Sequence, residues 1–492
     1  MFSLNFRQLP SHEALHLMFA SPRLKKLDLS CFFVKSDETF SADDPYAPPH
    51  LKVDVDIHVS MNEAFEIHLR TKKHMEDECN SLLHMLSKDP QPDLQSFVMT
   101  KRINISKFAL QQLIQVSTNL TEIHTLIDGF DLNVLVNCKR LRILRLHISF
   151  KTDFSNCSWE LLDTFENVLS SLGNLQIFTI CNNMRADCFG IRPLIATALD
   201  HCPKLTSVGH FDSAMAIDYI KIKSHIRYLN LKKCFWGIQV GCDSAYKQKE
   251  IQYLKHRFPE LINTAVFHCP FVEELSLQVL HKDCLQHLRR LKRLNSLVLE
   301  CTFCNDLAVD ECFSSLGEIR HQLKHLVIHS PNVNRRFPLN VVINNCENLE
   351  TLGVLELTAI DFPLRTNTRF RRLKRISIKM NLNYLGEILR YCDNLTYLLL
   401  FGHCVINESE LLVNLSNVSA LKLQTLGIQS RFFSENAVKM VLETAPNLER
   451  VSFFHKRECV SLLKELGSSI VFDYKLLRDE NYFPPELQPC IF

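Results

Sequence analysis

Glycine is scarce in this chain, with 12 in 492 residues, and none stands in the Gly-rich run that cradles a nucleotide phosphate. Charge of one sign is also missing. Lys and Arg total 56 against 54 Asp and Glu, a formal net charge of +2, so no electrostatic reason exists to expect nucleic acid or an anionic membrane as partner. No apolar run approaches the roughly 18 residues of a membrane span. The N-terminal stretch lacks the basic, apolar, small-residue order of a signal peptide. Neither His-Glu-x-x-His nor Gly-x-Ser-x-Gly occurs, which leaves metallopeptidase and serine-hydrolase chemistry without a motif. These absences set the expectation of an intracellular protein, cytoplasmic or nuclear, that is not an enzyme and carries no cofactor and no metal.

Cysteine, by contrast, is plentiful. There are 19, an odd number, and many sit inside apolar runs, which suits buried thiols better than bridges. Hydrophobic residues make up 46% of the chain, enough for a core along its whole length.

One short pattern recurs: Leu-x-x-Leu-x-Leu, usually after a polar residue. It reads RLKKLDL from Arg23, DLQSFVM from Asp93, NLTEIHT from Asn119, RLRILRL from Arg140, NLQIFTI from Asn174 and KLTSVGH from Lys204. HIRYLNL from His225, FVEELSL from Phe271, RLNSLVL from Arg293, QLKHLVI from Gln322 and NLETLGV from Asn348 follow. RLKRISI from Arg372, NLTYLLL from Asn394, KLQTLGI from Lys422 and NLERVSF from Asn447 complete fifteen copies. From the second copy onward the first apolar positions lie 26, 21, 34, 30, 21, 46, 22, 29, 26, 24, 22, 28 and 25 residues apart. Most of these match the leucine-rich-repeat period of about 20 to 29. The gap of 46 is close to two repeats and suggests a degenerate copy near Phe258–Leu261.

The alternating end of each copy predicts a short strand with leucines inward and x residues outward. Stacked in parallel, such strands line a concave face, and the segments between them predict helices on the convex side, one in every repeat. Ile191–His201, Lys247–Phe258 and Glu435–Thr444 carry the helical apolar spacing. The fold class is therefore α/β, a leucine-rich-repeat solenoid or horseshoe. Each repeat of such a coil buries its apolar face only against its neighbours.

Five copies place Cys three residues ahead of the first apolar position: Cys138, Cys202, Cys269, Cys346 and Cys392. Ser21, Ser117 and Ala445 take the same place elsewhere. A compact, poorly solvated side chain is expected there, where a helix ends against the next strand. Spaced one per repeat, these sulfurs do not converge on a metal.

This C-x-x-L-x-x-L-x-L repeat resembles the cysteine-containing subtype found in F-box and leucine-rich-repeat proteins, over about Leu24 to Phe454. The resemblance implies a protein substrate held by the horseshoe and a cullin-RING ubiquitin ligase recruited through an N-terminal F-box. Only Leu9–Phe19 (LPSHEALHLMF) precedes the first copy, and it echoes at most the opening of an F-box. A ligase adaptor therefore enters only if an F-box exists upstream. The implied function is substrate recognition for ubiquitin-dependent catabolism; the alternative is a free-standing binding or inhibitor protein with no ligase link.

Three stretches follow: 1–23 as N-terminal cap or remnant of an upstream domain, 24–454 as the solenoid, and 455–492 as C-terminal cap and tail. The acidic, proline-rich stretch 36–50 (SDETFSADDPYAPPH) reads as an insert that covers the concave surface, binds a partner or has no role. Val53, Val55, Ile57 and Val59 alternate as one further strand, and Met75–Leu86 reads as a helix. Tyr482–Pro485 suits a cap.

On the concave face most outward residues are small or polar. Tyr397, Leu399 and Phe401 are the exception, with Arg375 and Lys379 beside them. Apolar patches with a polar rim, rich in aromatic and Arg residues, mark interaction sites. This patch, with Arg450 and Phe454, is the expected partner-binding site unless the C-terminal tail folds over it. The lone Cys301–Cys304 pair lacks a second pair or a redox context. His321, His325 and His329 have helical spacing, but the strand frame points only the last two outward, as solvated histidines.

Overall fold

The computed structural model describes residues 3–5, 26–28, 93–99, 106–126, 131–148, 159–182, 191–209, 212–223, 228–237, 245–301, 314–329, 345–357, 370–380, 392–401, 422–428, 434–445 and 447–453. Shorter described pieces are 336–337, 359–360 and 470–472, with single residues near 77–86 and at 342, 409 and 413. The chain divides into two compact units, Met1–Ser207 and Val208–Ile491.

In the first unit, strands β1 (Ser3–Asn5), β2 (Lys26–Asp28), β3 (Ser96–Val98), β4 (Glu122–Leu126), β5 (Ile143–Ile148) and β6 (Ile177–Asn182) pair in parallel, each with the next. Phe97, Ile123, Leu144 and Phe178 share one register position and are at most 1% exposed. Helices Lys107–Val116, Trp159–Ser171 and Ile191–His201 lie between strands. They bury Leu110, Leu113, Phe165, Leu169, Leu194 and Leu199. Ser106 caps the first of these, its Oγ accepting from Ala109 N at 3.3 Å. The two-residue strand β7 (Ser207–Val208) stands at the boundary.

In the second unit the ladder runs through β8 (Lys233–Trp236), β9 (Glu274–Gln278), β10 (Ser296–Glu300), β11 (His325–His329) and β13 (Thr351–Leu357). It continues through β15 (Arg375–Met380), β16 (Tyr397–Phe401), β17 (Thr425–Ile428), β18 (Arg450–Phe453) and β19 (Val471–Phe472). Every pairing is parallel. Strands β12 (Arg336–Phe337) and β14 (Ala359–Ile360) form a separate parallel pair. Parallel strands with helical returns, apolar triads inward, are the expected leucine-rich-repeat architecture.

Two hydrogen-bond motifs recur and explain why repeats stack. At many strand entries, two successive amides donate to one carbonyl of the preceding repeat: Arg142 and Ile143 to Thr121 O, Lys374 and Arg375 to Glu350 O, Thr396 and Tyr397 to Lys374 O. At each corner the residue ahead of the strand caps a turn. Cys202 N donates to Ala198 O at 3.0 Å and Cys346 N to Val342 O at 2.9 Å, as Ser117 N does to Leu113 O and Ala445 N to Val441 O. Cys138, Cys202, Cys269, Cys346 and Cys392 are all at most 2% exposed. Burial pushes the Cys138 thiol up to about 11 and those of Cys202 and Cys346 up to about 12.

A tie that the sequence reading overlooked lies just before the first leucine. Asn174, Asn348 and Asn394 donate from Nδ2 to Lys139 O, His321 O and Arg371 O at 3.0, 2.6 and 2.7 Å. Each spans one repeat. Lys204 and Lys422 then donate to the Oδ1 of Asn174 and Asn394, both at 2.7 Å.

Four expectations need correction. No degenerate copy sits near Phe258–Leu261: both residues are inside the helix Ala245–His268. The copy expected at His225 is displaced, because β8 is Lys233–Trp236 and its inward residues are Leu231, Cys234 and Trp236. Cys and Trp in the leucine places hid that frame. Helices do not occur in every repeat as expected. The interval of 21 from Leu120 is closed by the 3-10 turn Leu132–Asn137 alone, and the interval of 22 from Val272 by a single α-turn, Cys284–His287, running into the 3-10 turn Leu288–Arg290. Finally, the sheet reaches beyond Leu24–Phe454 at both ends, through Ser3–Asn5 and Val471–Phe472. The stretches 9–19, 36–50, 53–59 and 482–485 lie outside the described residues, while those described between 77 and 86 are helical, with Leu83 buried.

Candidate functional site

The outward face of the second unit is built by register. One row runs Glu274, Ser296, His325, Thr351, Arg375, Tyr397, Thr425, Arg450, each opposite the next. A middle row runs Ser276, Val298, Val327, Gly353, Ser377, Leu399, Gly427, Ser452. Period-two alternation puts both rows opposite the buried leucines.

Exposure on that face is another matter. The middle row is buried throughout: Leu399 is 0% exposed, Val327 2%, Ser452 2% and Val298 5%. The expectation that Leu399 stands in water is therefore wrong. Strands about 4.8 Å apart let outward side chains pack sideways. A Cβ placed on Gly353 would meet Val327 Cγ2 at 3.0 Å, so Val327 already fills the space above the glycine. Leu399 has Ser377 and Gly427 as its lateral neighbours. Their small size leaves room for its branched end, and the strand is apolar on both faces, as in a doubly covered parallel sheet.

The first row keeps the contact-ready groups. Arg375 and Arg450 are exposed and Tyr397 is half-buried. The Arg375 guanidinium lies 5.7 Å from the centre of the Tyr397 ring, a distance at which the ring face attracts a cation. Arg450 stands two strands beyond Tyr397, roughly 10 Å by the strand spacing. Lys379 and Phe401 belong to β15 and β16 and face each other in register, but their side chains, like all of Phe454, lie outside the described residues. At the far end, Glu274 pairs with Lys233 at 3.0 Å, and His325 Nδ1 lies 3.0 Å from Thr351 Oγ1. His321 sits upstream in the 3-10 turn Gly317–Gln322, 3.8 Å from Glu347. Among the described residues no group of three or more His, Cys, Asp or Glu could hold a metal ion, and no helix is long and apolar enough to cross a membrane.

No family model and no curated sequence matches this chain. Among solved structures it is similar to the TLR13–ssRNA13 complex, with 14% identity and a TM-score of 0.37, over 75% of this chain and 58% of that one. This chain thus spans well under two thirds of that neighbour's length. It is also similar to the yeast Rad7–Elc1 complex, with 13% identity, a TM-score of 0.35 and coverage of 87% and 92%. The mouse RP105/MD-1 complex follows, with 12% identity, a TM-score of 0.34 and coverage of 81% and 74%. Likenesses this distant add nothing to the fold read from the ladders and say nothing of what this chain binds.

Proposed function

We propose that this chain is a protein-interaction scaffold whose partner docks along the first outward row of the second unit, at Arg375, Tyr397 and Arg450. The observation that carries the reading is the contrast between rows. The middle row is closed, while two exposed guanidiniums flank an aromatic ring in strict register, and Arg and Tyr are the residue types that dominate binding hot spots. Such a row suits an acidic partner surface.

The finer reading makes the chain the substrate-recognition part of an F-box-type ubiquitin ligase adaptor. It rests on the cysteine-containing repeat, with Cys138, Cys202, Cys269, Cys346 and Cys392 at the corners. Affinity capture from the native cell followed by mass spectrometry tests both levels. Recovery of cullin and its adaptor subunits with a substrate supports the adaptor. Recovery of one protein partner without them points to the free-standing binder. Replacing Arg375 and Arg450 together by Ala should lower capture at least about tenfold, in line with two hot-spot residues, and leave the melting temperature unchanged. Undiminished capture by the double variant removes this row from the interface.

A further inference from the structure

The outward face of the first unit carries a different set of groups. Strands β4, β5 and β6 align His124 with Arg145 and Arg145 with Thr179, and His147 lies two residues beyond Arg145 on the same face. Glu122, two residues before His124, has both oxygens engaged. Ser96 Oγ donates to its Oε2 at 2.7 Å, and its Oε1 lies 3.0 Å from His124 Nε2. The next three polar groups are not engaged. Arg145 Nε, His147 Nδ1 and Thr179 Oγ1 are enclosed and, among the described residues, have no hydrogen-bond partner. Thr179 is 1% exposed and His147 4%.

Folded proteins seldom leave such groups unmatched, and here three of them share one face of two adjacent strands. Arg145 Nε–H and Thr179 Oγ–H are donors on strands paired in register, and His147 lies two residues along β5 on the same face. We propose that Arg145, Thr179 and His147 form a subsite for a single carboxylate on the outward face of β4–β6. A carboxylate offers two acceptor oxygens, one for a charge-assisted bond from the guanidinium N–H and one for the hydroxyl.

Charge selects a monoanion. Burial, then His124 and Arg145, lowers the His147 pKa to about 4, so near neutral pH this imidazole is uncharged and Arg145 is the cation left unmatched by Glu122. A doubly charged phosphate would exceed it. The three atoms are enclosed, and the Glu122 and His124 side chains on the β4 side are 26% and 14% exposed, so a carboxylate reaches the cluster only as these two side chains move aside. A bound carboxylate adds an opposite charge beside His147 and raises its pKa.

The test follows the His147 Cε1–H resonance by NMR in the full chain at pH 8, where inorganic phosphate is mainly the dianion, during titration with acetate, with an acetylated tetraglutamate amide and with inorganic phosphate. Saturable shifts are expected with the carboxylates, together with an upward move of the His147 titration. Thr179→Val should weaken binding about tenfold through loss of one charge-assisted donor, while Thr179→Ser binds as the parent does. Arg145→Gln should abolish saturation, and Arg142→Gln, which removes only a contact with Gln176, should not. Equal per-carboxylate affinity for acetate and peptide assigns the site to free small carboxylates; clear preference for the peptide assigns it to an acidic side chain of a bound polypeptide. No saturable shift with either carboxylate, saturation by phosphate alone, or unchanged binding in Thr179→Val and Arg145→Gln overturns the proposal. It stands apart from the scaffold reading, because these probes report on it whether or not a protein partner is captured.

Discussion

Each unit has its own inward ladder of apolar residues, and the two differ on the face opposite it. In the first, β4–β6 set His124, Arg145 and Thr179 side by side; in the second, β15–β17 set Ser377, Leu399 and Gly427 in the middle row. The backbone is the same: parallel strands, with two amides at many entries meeting one carbonyl of the preceding repeat. The difference teaches that the leucine triad sets the fold, whereas the residues between the leucines decide whether the other face is lined by packed apolar and small groups or by enclosed polar ones.

The largest expected effect blurs the line between the two faces of β16. Leu398 points inward and Leu399 outward, yet both are 0% exposed. Leu398→Ala and Leu399→Ala should therefore cost similar amounts, about 2–5 kcal/mol each, from lost transfer energy and the cavity left behind. Urea unfolding with a constant m-value measures both. A near-silent Leu399→Ala would restore the solvated patch that alternation alone suggests.

The second effect belongs to the first unit and sharpens the contrast. His147 has a folded pKa of about 4 against an ordinary 6.5. Because the folded value is the lower one, the unfolded chain binds the extra proton first on acidification. The contribution of the neutral, buried ring is thus fully present above pH 6.5 and is lost as pH falls from 6.5 toward 4. Its full size is roughly 3 kcal/mol. His147→Gln should remove that acid slope, and unfolding curves at pH 7, 5.5 and 4.5 compare the two. Saturating carboxylate, by raising the folded pKa, should flatten the slope in the parent protein as well.

Much of this architecture could be read from spacing. The triad is a local pattern whose period survives irregular loops, so β3–β6, β9–β11, β13 and β15–β18 fall where the leucines predict. The pattern failed where its chemistry was substituted. At β8 the inward places are Cys234 and Trp236, and the match shifted to the nearby Ile226. Short repeats have room for only a turn or two of helix, as at Leu132–Asn137 and Cys284–Arg290, which spacing shows only when loop length is weighed against helical rise. The candidate sites were less legible. Alternation tells which face a residue takes but not how crowded that face is, so Leu399 looked exposed. Arg145 and Thr179 are separated by 34 residues and meet only through strand register, and no motif in the sequence marks them.

The smallest effect checks how little the rim of the second unit matters to stability. Lys374 Nζ lies 3.1 Å from Glu350 Oε2, with the two side chains 59% and 31% exposed. The hydrogen bond from Lys374, with the charges of Lys374, Lys324 and His325, holds the Glu350 carboxyl below its ordinary range, while burial opposes the shift. Because the folded pKa is the lower one, the pair stabilises the fold above the usual glutamate range and loses its value as pH falls through and below it. An exposed pair of this kind contributes about 0.2–1 kcal/mol at most. Lys374→Ala should therefore shift the urea midpoint slightly at pH 7, less in high salt, and not at all at pH 3. A shift that persists at pH 3 would mean that the aliphatic stem of Lys374 packs on the strand entry, and the rim would then count as part of the fold.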